Sequence, residues 1–367
     1  MDGLGDLVLF RSALEYYPEV FGIEKKDITI LGCHSWKSLA DTIFAGYRVV
    51  TIDEHAYERK FLYRLKISRW VAQQCFKIAV CDIFLRKPMT CEALLYYSYA
   101  EQIIVSAPFI SKKTKPRFDY YWPLYDKVID TGNHPRHETL RHFSFISQLA
   151  NRDIKPQPPY IPWSNERDPI SQKPYVTINF GSNAPGRRWP FEYFLEIAKR
   201  VIERGYYAVF LGGAAELVYS KMLDENLQHP NIINYIGKTK NLSDVLDVLK
   251  HSQAVITSET GPGHFALALH IPTLMLCGGG SHSIFTPFPE SIRKNTMHFL
   301  NFQMDCYHCL WHCPYRKNKE DSFPCLANIK PNDAWAIFEK LVPAYPPPAP
   351  ATEIADPALV HIQNLIV

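Results

Sequence analysis

The sequence has no long uninterrupted apolar segment and no strong excess of either charge. Its 367 residues include 40 lysines and arginines against 37 aspartates and glutamates, a formal net charge of +3. No apolar run reaches the ~20 residues that a membrane-spanning helix needs, and no basic leader followed by an apolar stretch marks a secretory signal. The balanced charge, without a recognition motif, argues against nucleic acid as a partner. We expect a cytoplasmic protein long enough for two domains.

Cysteine is too unevenly distributed for a disulfide scaffold. Five of the nine cysteines are scattered among apolar residues, where they are expected to be buried small side chains. The other four form the pattern C-x2-C-x3-C-x11-C, at Cys306, Cys309, Cys313 and Cys325. This spacing resembles a four-thiolate metal finger, for which zinc and iron are both acceptable. The metal would be structural, and the alternative is four free thiols in a small packed segment.

Short β-rich runs alternate with helical periodicity through most of the chain. Strands are predicted at residues 28–31, 78–80, 102–105, 175–180, 207–211, 232–235, 254–257 and 273–276. This alternation is typical of parallel sheets with helices on both faces. We predict an N-terminal domain over 1–160, a proline-rich linker over 161–174, a C-terminal domain over 175–345 that contains the cysteine-rich segment 306–325, and a proline-rich tail over 346–367.

The first residues form a glycine turn that enters a helix. Gly3, Gly5 and Asp6 precede a helical pattern, and a turn of this kind normally follows a β-strand. We therefore expect that the first strand of the N-terminal domain is missing from this sequence.

The segment 257–264 lies between a predicted buried strand and a predicted helix. Pro262 suits a first helical turn, and glycines at 261 and 263 allow close approach of the backbone to a ligand. The N–H groups of Gly261, Gly263 and His264, together with the helix dipole, predict an anion site. The alternative is an ordinary helix start capped by a hydroxyl group.

Two further loops follow strands of the same predicted domain. In the first, Gly181 and Ser182 precede Arg187 and Arg188, a pair able to neutralise a diphosphate or simply to form a solvated basic loop. In the second, Gly213 precedes an acidic residue early in a helix, at position 216, which suits either a ribose hydroxyl or the helix dipole. Since all three loops fall at strand ends, we expect them to converge on one ligand.

The order of these motifs resembles glycosyltransferase family 9, which includes the bacterial heptosyltransferases of lipopolysaccharide core synthesis. The matching segments are residues 3–6, 188–190, 212–213, 236–239, 259–264, 278–280 and 285–289. The resemblance implies an α/β fold of the GT-B type, with two Rossmann-like domains whose parallel sheets face each other across a cleft. It also implies inverting sugar transfer with no cofactor for catalysis.

The resemblance assigns roles to individual residues. Asp6 matches the general base, although a helix cap is the simpler explanation of an aspartate there. Arg188 stands where the family usually has a diphosphate-binding lysine, and Glu216 matches a ribose contact. The donor-binding set so predicted is Gly181, Ser182, Arg187, Arg188, Gly213, Glu216, Glu259, Thr260, Gly261, Gly263 and His264.

Glu259 is a departure from the family pattern, which often has aspartate before the Thr-Gly pair. The extra methylene shifts the carboxylate by about a bond length, and errors of ~1 Å matter in active sites. The expected donor is ADP-heptose, and the expected acceptor is a lipopolysaccharide-core or related saccharide. The alternatives are another nucleotide sugar, a protein acceptor as in autotransporter heptosyltransferases (which are thought to hold iron in a similar cysteine segment), or a non-catalytic nucleotide-binding protein.

Basic residues are concentrated in two segments of the N-terminal half, 59–87 and 112–117. Aromatic residues are interleaved with them. The segments suit an anionic lipid-linked acceptor or a peripheral contact with the cytoplasmic face of the inner membrane. A charged helix face in water is the alternative.

Overall fold

The computed structural model describes residues 3–164 and 168–345, so the predicted tail 346–367 lies outside the described residues. In the first half the helices are α1 (Leu4–Leu14), α2 (Tyr17–Phe21), α3 (Ala40–Ile43), α4 (Glu54–Arg59), α5 (Phe61–Ala72), α6 (Cys91–Ser98), α7 (Lys115–Tyr121) and α8 (Glu138–Ala150). The strands are β1 (Thr29–Cys33), β2 (Arg48–Ile52), β3 (Ile78–Cys81), β4 (Gln102–Ser106) and β5 (Lys127–Ile129). All pair in parallel, as a β1-β2 sheet and a separate β3-β4-β5 sheet.

The second half contains one larger sheet. Its strands are β6 (Tyr175–Asn179), β7 (Tyr207–Gly212), β8 (Ile232–Ile236), β9 (Ala254–Ser258), β10 (Thr273–Cys277) and β11 (Met297–Asn301). Its helices are α9 (Phe191–Glu203), α10 (Leu217–Asn226), α11 (Leu242–Lys250), α12 (Gly261–Ala268), α13 (Pro324–Ala327) and α14 (Pro331–Phe338). Every residue of β6, β9 and β10 is buried, as expected for parallel strands covered on both faces.

The strands of this sheet run in the order β11-β10-β9-β6-β7-β8, all parallel. The order reverses between β6 and β9, and in sheets of this type ligands bind at the carboxyl ends of the strands beside such a reversal. The prediction of two Rossmann-like halves with parallel sheets is confirmed. Strands β2, β5 and β11 were not predicted, because their residues are mostly half-exposed and lack a continuous apolar run.

The two halves share part of one hydrophobic core. Leu7 and Val8 of α1 lie in the same buried cluster as Phe265 and Ala266 of α12. The segment predicted as a linker contacts α12 at this junction, where the Ile161 N–H donates to the Ala268 carbonyl at 3.2 Å. The described residues of 161–174 contain neither helix nor strand, and the exact domain boundaries stay a prediction. Among the described residues, no helix has the length and apolar character to span a membrane.

Candidate active site

A cavity of about 1210 Å³ opens between the two halves, at the carboxyl ends of β6, β7 and β9. The N-terminal turn of α1 forms its opposite wall. Ten of the twelve residues predicted for catalysis or donor binding line it: Asp6, Gly181, Ser182, Arg187, Gly213, Glu216, Glu259, Thr260, Gly261 and His264. Arg188 and Gly263 do not. The predicted convergence of the three loops is therefore present in the folded chain, whereas their roles remain a proposal.

Asn179, which sequence analysis missed, joins two of these loops. Its side-chain amide at the end of β6 donates to the hydroxyl oxygens of Thr257, at 2.8 Å, and Thr260, at 3.0 Å. These bonds fix the Thr260 side chain across the point where the strand order reverses. A polar residue ending an otherwise apolar strand was the available indication in the sequence.

Arg187 is the arginine of the pair that faces the cavity. Its Nη2 donates to the backbone carbonyl of Glu259 at 3.2 Å, and its guanidinium lies 4.5 Å from the centre of the Trp311 ring. Its buried Nε has no hydrogen-bond partner within residues 3–164 and 168–345. The side chain is thus held in place while keeping an unused donor, which suits an anionic ligand.

Arg188 instead binds the backbone of its own loop. Both its Nε and Nη2 donate to the Ser182 carbonyl, at 3.1 and 2.7 Å, and Nη2 lies 3.4 Å from Glu216 Oε1. The family resemblance places the diphosphate cation at Arg188, but the geometry favours Arg187. The tertiary structure therefore gives different surroundings to two neighbouring arginines, and it favours the one that the family resemblance did not select.

Glu216 is buried at the start of α10 and is fixed by two partners. Its Oε2 accepts from the Gly213 N–H at 2.9 Å, while Oε1 pairs with Arg188. Gly181 lies directly beneath it, since a Cβ atom at that position would be 3.0 Å from Glu216 Cδ. The carboxylate oxygens retain lone pairs that can accept from ligand hydroxyls.

Glu259 and His264 are buried titratable groups on the cavity wall. Burial raises the pKa of Glu259 to about 7, against the opposing effect of Arg187. Burial together with Arg187 lowers the pKa of His264 to about 4, so its imidazole is neutral at physiological pH. The Nδ1 of His264 has no hydrogen-bond partner in the part of the chain that the structure describes, whereas the Thr286 hydroxyl and the Gly278 N–H approach Glu259 and oppose the rise of its pKa. The unpaired buried nitrogen of His264 suits a polar ligand in the cavity.

The glycines at the start of α12 are needed for close packing, and Gly261 also lines the cavity. A Cβ atom at Gly263 would lie 2.7 Å from Met275 Cε, inside the sheet packing. A Cβ atom at Gly261 would lie 2.8 Å from Leu4 Cβ, at the junction with α1. The N–H of His264 is also not free, because it donates to the Thr260 carbonyl at 3.0 Å. Close packing therefore requires these glycines, and the anion site stays a prediction.

Asp6 lies in the first turn of α1 and lines the cavity opposite these loops. The positive end of a helix dipole favours a carboxylate at this position. Behind it lies a buried charged group that sequence analysis missed: His142 Nδ1 is 2.8 Å from Asp82 Oδ2, and the Tyr17 hydroxyl donates to the same oxygen at 3.0 Å. Burial raises the pKa of nearby Glu138 to about 7, and Asp6 contributes to that rise.

The N-terminal wall of the cavity also carries basic side chains that were not predicted. His34 and Lys37 follow β1, His55 lies in α4, and Lys240 comes from the other half. Asp6, Asp53 and Glu54 line the same wall, so its charge is mixed.

The four clustered cysteines lie near one another but do not form a closed site. Burial raises the pKa of the Cys306 thiol, and Cys309 and Cys313 add to that rise. Cys325 accepts from the Gly279 N–H at 3.4 Å. Among the described residues, no three histidine, cysteine, aspartate or glutamate side chains are grouped closely enough to hold a metal ion. The donor chemistry suits a metal, whereas the side-chain arrangement does not show one.

Comparison with known proteins decides the family. The family model described as glycosyltransferase family 9 (heptosyltransferase) matches residues 102–318. The chain belongs to this family. Among curated proteins, lipopolysaccharide heptosyltransferase 1 of Pseudomonas aeruginosa is 30% identical over 151 residues, which cover 40% of each protein. The aligned region therefore spans well under half of that relative.

Solved structures share the fold over a longer stretch. The Escherichia coli heptosyltransferase WaaC with ADP has a TM-score of 0.68 and 11% identity, covering 93% of this chain and 98% of that chain. The iron-containing dodecameric glycosyltransferase TibC from enterotoxigenic E. coli has a TM-score of 0.54 and 15% identity, covering 93% of this chain and 74% of that one. At these identities the similarity shows the fold, a GT-B arrangement of two Rossmann-like halves.

Proposed function

We propose that this chain transfers a heptose from ADP-heptose to a hydroxyl group of a lipopolysaccharide-core or related saccharide. The observation that carries this proposal is the cavity between the halves, where three loops suited to a nucleotide sugar face the carboxylate of Asp6. The family membership supports transfer of a sugar. ADP and heptose are carried over from the similar proteins whose names include them.

The proposed reaction is a single displacement with inversion. The acceptor oxygen attacks the anomeric carbon, a new C–O bond forms, and the bond between that carbon and the phosphate oxygen breaks. Asp6 removes the proton of the attacking hydroxyl. Arg187 and the N-terminus of α12 stabilise the negative charge that develops on the departing diphosphate. Glu216 accepts from the ribose hydroxyls.

Glu259 and His264 are placed to contact the transferred sugar. A protonated Glu259 can donate a hydrogen bond as well as accept one, and neutral His264 can do either at its ring nitrogens. Both chemistries suit sugar hydroxyls. Glu259 has one methylene more than the aspartate that the family often has at this position. Another nucleotide sugar is therefore the second candidate donor.

Thermal stabilisation by a panel of nucleotides and nucleotide sugars tests the donor. A ligand at a hundredfold excess over its Kd should stabilise the protein by about 2.7 kcal/mol. Stabilisation by ADP and ADP-heptose alone supports the proposal. Stabilisation by a uridine or guanosine sugar would indicate a different donor for the same class of enzyme. No response to any nucleotide would contradict the proposal.

The four cysteines are proposed as a structural zinc or iron site, separate from the reaction. The thiolate donor set supports this, as does the mutual effect of the thiols on their pKa values. Metal analysis of the purified protein should find about one ion per chain, and Cys309→Ser should remove it. Metal-free protein with four freely titratable thiols would exclude the site.

A saccharide acceptor that is lipid-linked would place the protein on the cytoplasmic face of the inner membrane. The basic residues concentrated in segments 59–87 and 112–117 of the N-terminal half support an anionic acceptor. A protein acceptor is the alternative, and radiolabelled sugar transferred to a lipid extract or to a polypeptide fraction distinguishes the two.

A further inference from the structure

Helix α5 exposes large apolar side chains near its start. Its exposed stripe begins with Phe61, Leu62 and Leu65, whose side chains are 76%, 78% and 53% exposed. The buried side of the same helix contains Val71 and Ser68, whose hydroxyl is paired with the Tyr57 hydroxyl at 3.0 Å. A helix that served only to cover the protein core would bury its large apolar side chains.

Basic residues extend the same stripe. Lys66 and Arg69 follow Leu62 at spacings of four and seven residues on the exposed face, and Lys60 precedes Phe61. The helix has no acidic residue; Glu58 before it is half-buried and accepts from the Thr90 hydroxyl, and Asp82 after it is buried. The stripe therefore combines large apolar side chains with uncompensated positive charge, the composition of helices that lie in the plane of an anionic bilayer surface.

The neighbouring helices contribute aromatic residues of the kind that favour a membrane interface. Tyr99, Tyr120 and Trp122 are 69%, 69% and 45% exposed. Helix α5 packs against α6, and α6 against α7, where the Tyr96 and Tyr121 rings are 6.3 Å apart. Tyrosine and tryptophan have an apolar ring and a polar tip, which suits the headgroup region.

The short helix α4 connects the exposed side of α5 to the cavity. Asp53, Glu54 and His55 line the cavity, and α4 runs from there to Arg59. The Lys60 N–H donates to the Ala56 carbonyl at 2.8 Å, which fixes the start of α5 relative to α4. A molecule anchored in the surface below α5 would thus reach the N-terminal wall of the cavity.

We propose that α5 is a membrane-docking helix, which inserts Phe61, Leu62 and Leu65 into the interface of an anionic bilayer while Lys60, Lys66 and Arg69 contact lipid headgroups. The inference does not depend on the donor or on the reaction. A lipid surface is the expected partner because apolar and basic residues lie together on the exposed side of α5. This combination matches the apolar interior and the negative headgroups of such a bilayer.

Co-sedimentation with phosphatidylcholine vesicles, with and without phosphatidylglycerol, tests the proposal. The full chain should bind the vesicles that contain phosphatidylglycerol, and added salt should weaken binding. The triple variant Phe61→Ser/Leu62→Ser/Leu65→Ser should bind about tenfold more weakly or worse. Lys60→Gln/Lys66→Gln/Arg69→Gln should lose the preference for phosphatidylglycerol.

The matched control is Val218→Ser/Met222→Ser, which removes two exposed apolar side chains, 64% and 40% exposed, from α10 in the other half. It should bind vesicles as the parent does. Unchanged thermal unfolding and nucleotide binding of the α5 variants would show that they are folded.

Three outcomes would overturn the inference. In the first, the parent chain binds neither kind of vesicle. In the second, the α5 triple serine variant binds vesicles as well as the parent does. In the third, the parent is a dimer that does not bind vesicles, and the triple serine variant is a monomer. Nucleotide binding is measured separately, so a negative vesicle result leaves the proposed function standing.

Discussion

Leu4 and Gly261 meet where the two halves join, and a Cβ atom at Gly261 would lie 2.8 Å from the Leu4 Cβ atom. One residue begins α1 and the other begins α12, so both helix N-termini point into the same cavity. Gly5 repeats the contact, since its Cβ atom would lie 3.1 Å from His264 Cδ2. Small residues therefore allow the proposed base and the proposed donor loop to lie close together.

Gly261→Ala should separate these helices and destabilise the protein by about 1–3 kcal/mol, the usual cost of overpacking. Thermal or denaturant unfolding measures the effect. Gly3→Ala is the control, because its Cβ atom would approach no atom closer than Asp6 Oδ2 at 3.4 Å. Equal losses in the two variants would show that the contact between the halves has no special role.

Arg187→Gln should weaken ADP binding by about tenfold to a hundredfold, as expected when one charge-assisted contact worth about 1.5–3 kcal/mol is lost. Adenosine binding should change little, since it lacks the diphosphate. Calorimetric titration with both ligands measures this difference.

Arg188→Gln is the matched variant, and it should act through the loop instead. Loss of its bonds to the Ser182 carbonyl and to Glu216 should lower thermal stability and weaken both ligands alike. A selective loss of ADP binding in Arg188→Gln, with Arg187→Gln unaffected, would reverse the assignment.

Asp6→Asn should lower kcat by about 10²–10⁴-fold, the usual contribution of a general base, while leaving donor binding intact. Transfer from ADP-heptose to acceptor and calorimetric ADP binding are the two measurements. Asp41→Asn, an exposed carboxylate of α3, should change neither. Full activity in Asp6→Asn would leave Asp6 as a carboxylate that only stabilises the first turn of α1.

Glu138→Gln should change how stability depends on pH. Burial raises the pKa of Glu138 from 4.5 to about 7, so its contribution to stability is complete below pH 4.5 and is lost as pH rises to about 7. The variant lacks this loss, so its stability relative to the parent should increase across that window, by at most about 1.4 kcal/mol per pH unit.

Denaturant unfolding at a series of pH values checks the slope. Burial also raises the pKa of Glu259 to about 7, but that contribution cancels because both proteins contain Glu259. Glu203→Gln, at an exposed position, should show no such dependence. A stability difference that falls with rising pH would contradict the assigned direction.

Five of the six strands of the C-terminal half, β6 to β10, could be predicted from the sequence because they are short runs rich in apolar and β-branched residues. β6 and β9 are buried along their whole length, and each run could belong only to a parallel strand between two helix layers. β2 and β5 could not be predicted in this way, since side chains on their half-exposed faces leave no clear period.

Long-range partners account for the residues that were missed. Asn179 and Thr260 are 81 positions apart, and His142 and Asp82 are 60 apart. No local pattern indicates which polar side chains will meet across such separations. The exposed stripe of α5 was visible only as a basic segment with interleaved aromatics, because exposure depends on what the rest of the fold covers.

The sequence alone determined the strand–helix alternation, the three glycine-containing loops and the family resemblance, since all of these depend on residues close together in the chain. Only the tertiary structure decided that Arg187 faces the cavity while Arg188 supports Ser182, that Gly261 accommodates Leu4, and that Phe61 is exposed. Each of these depends on which surfaces the two halves bury against each other, and that is a property of packing, which neighbouring residues do not specify.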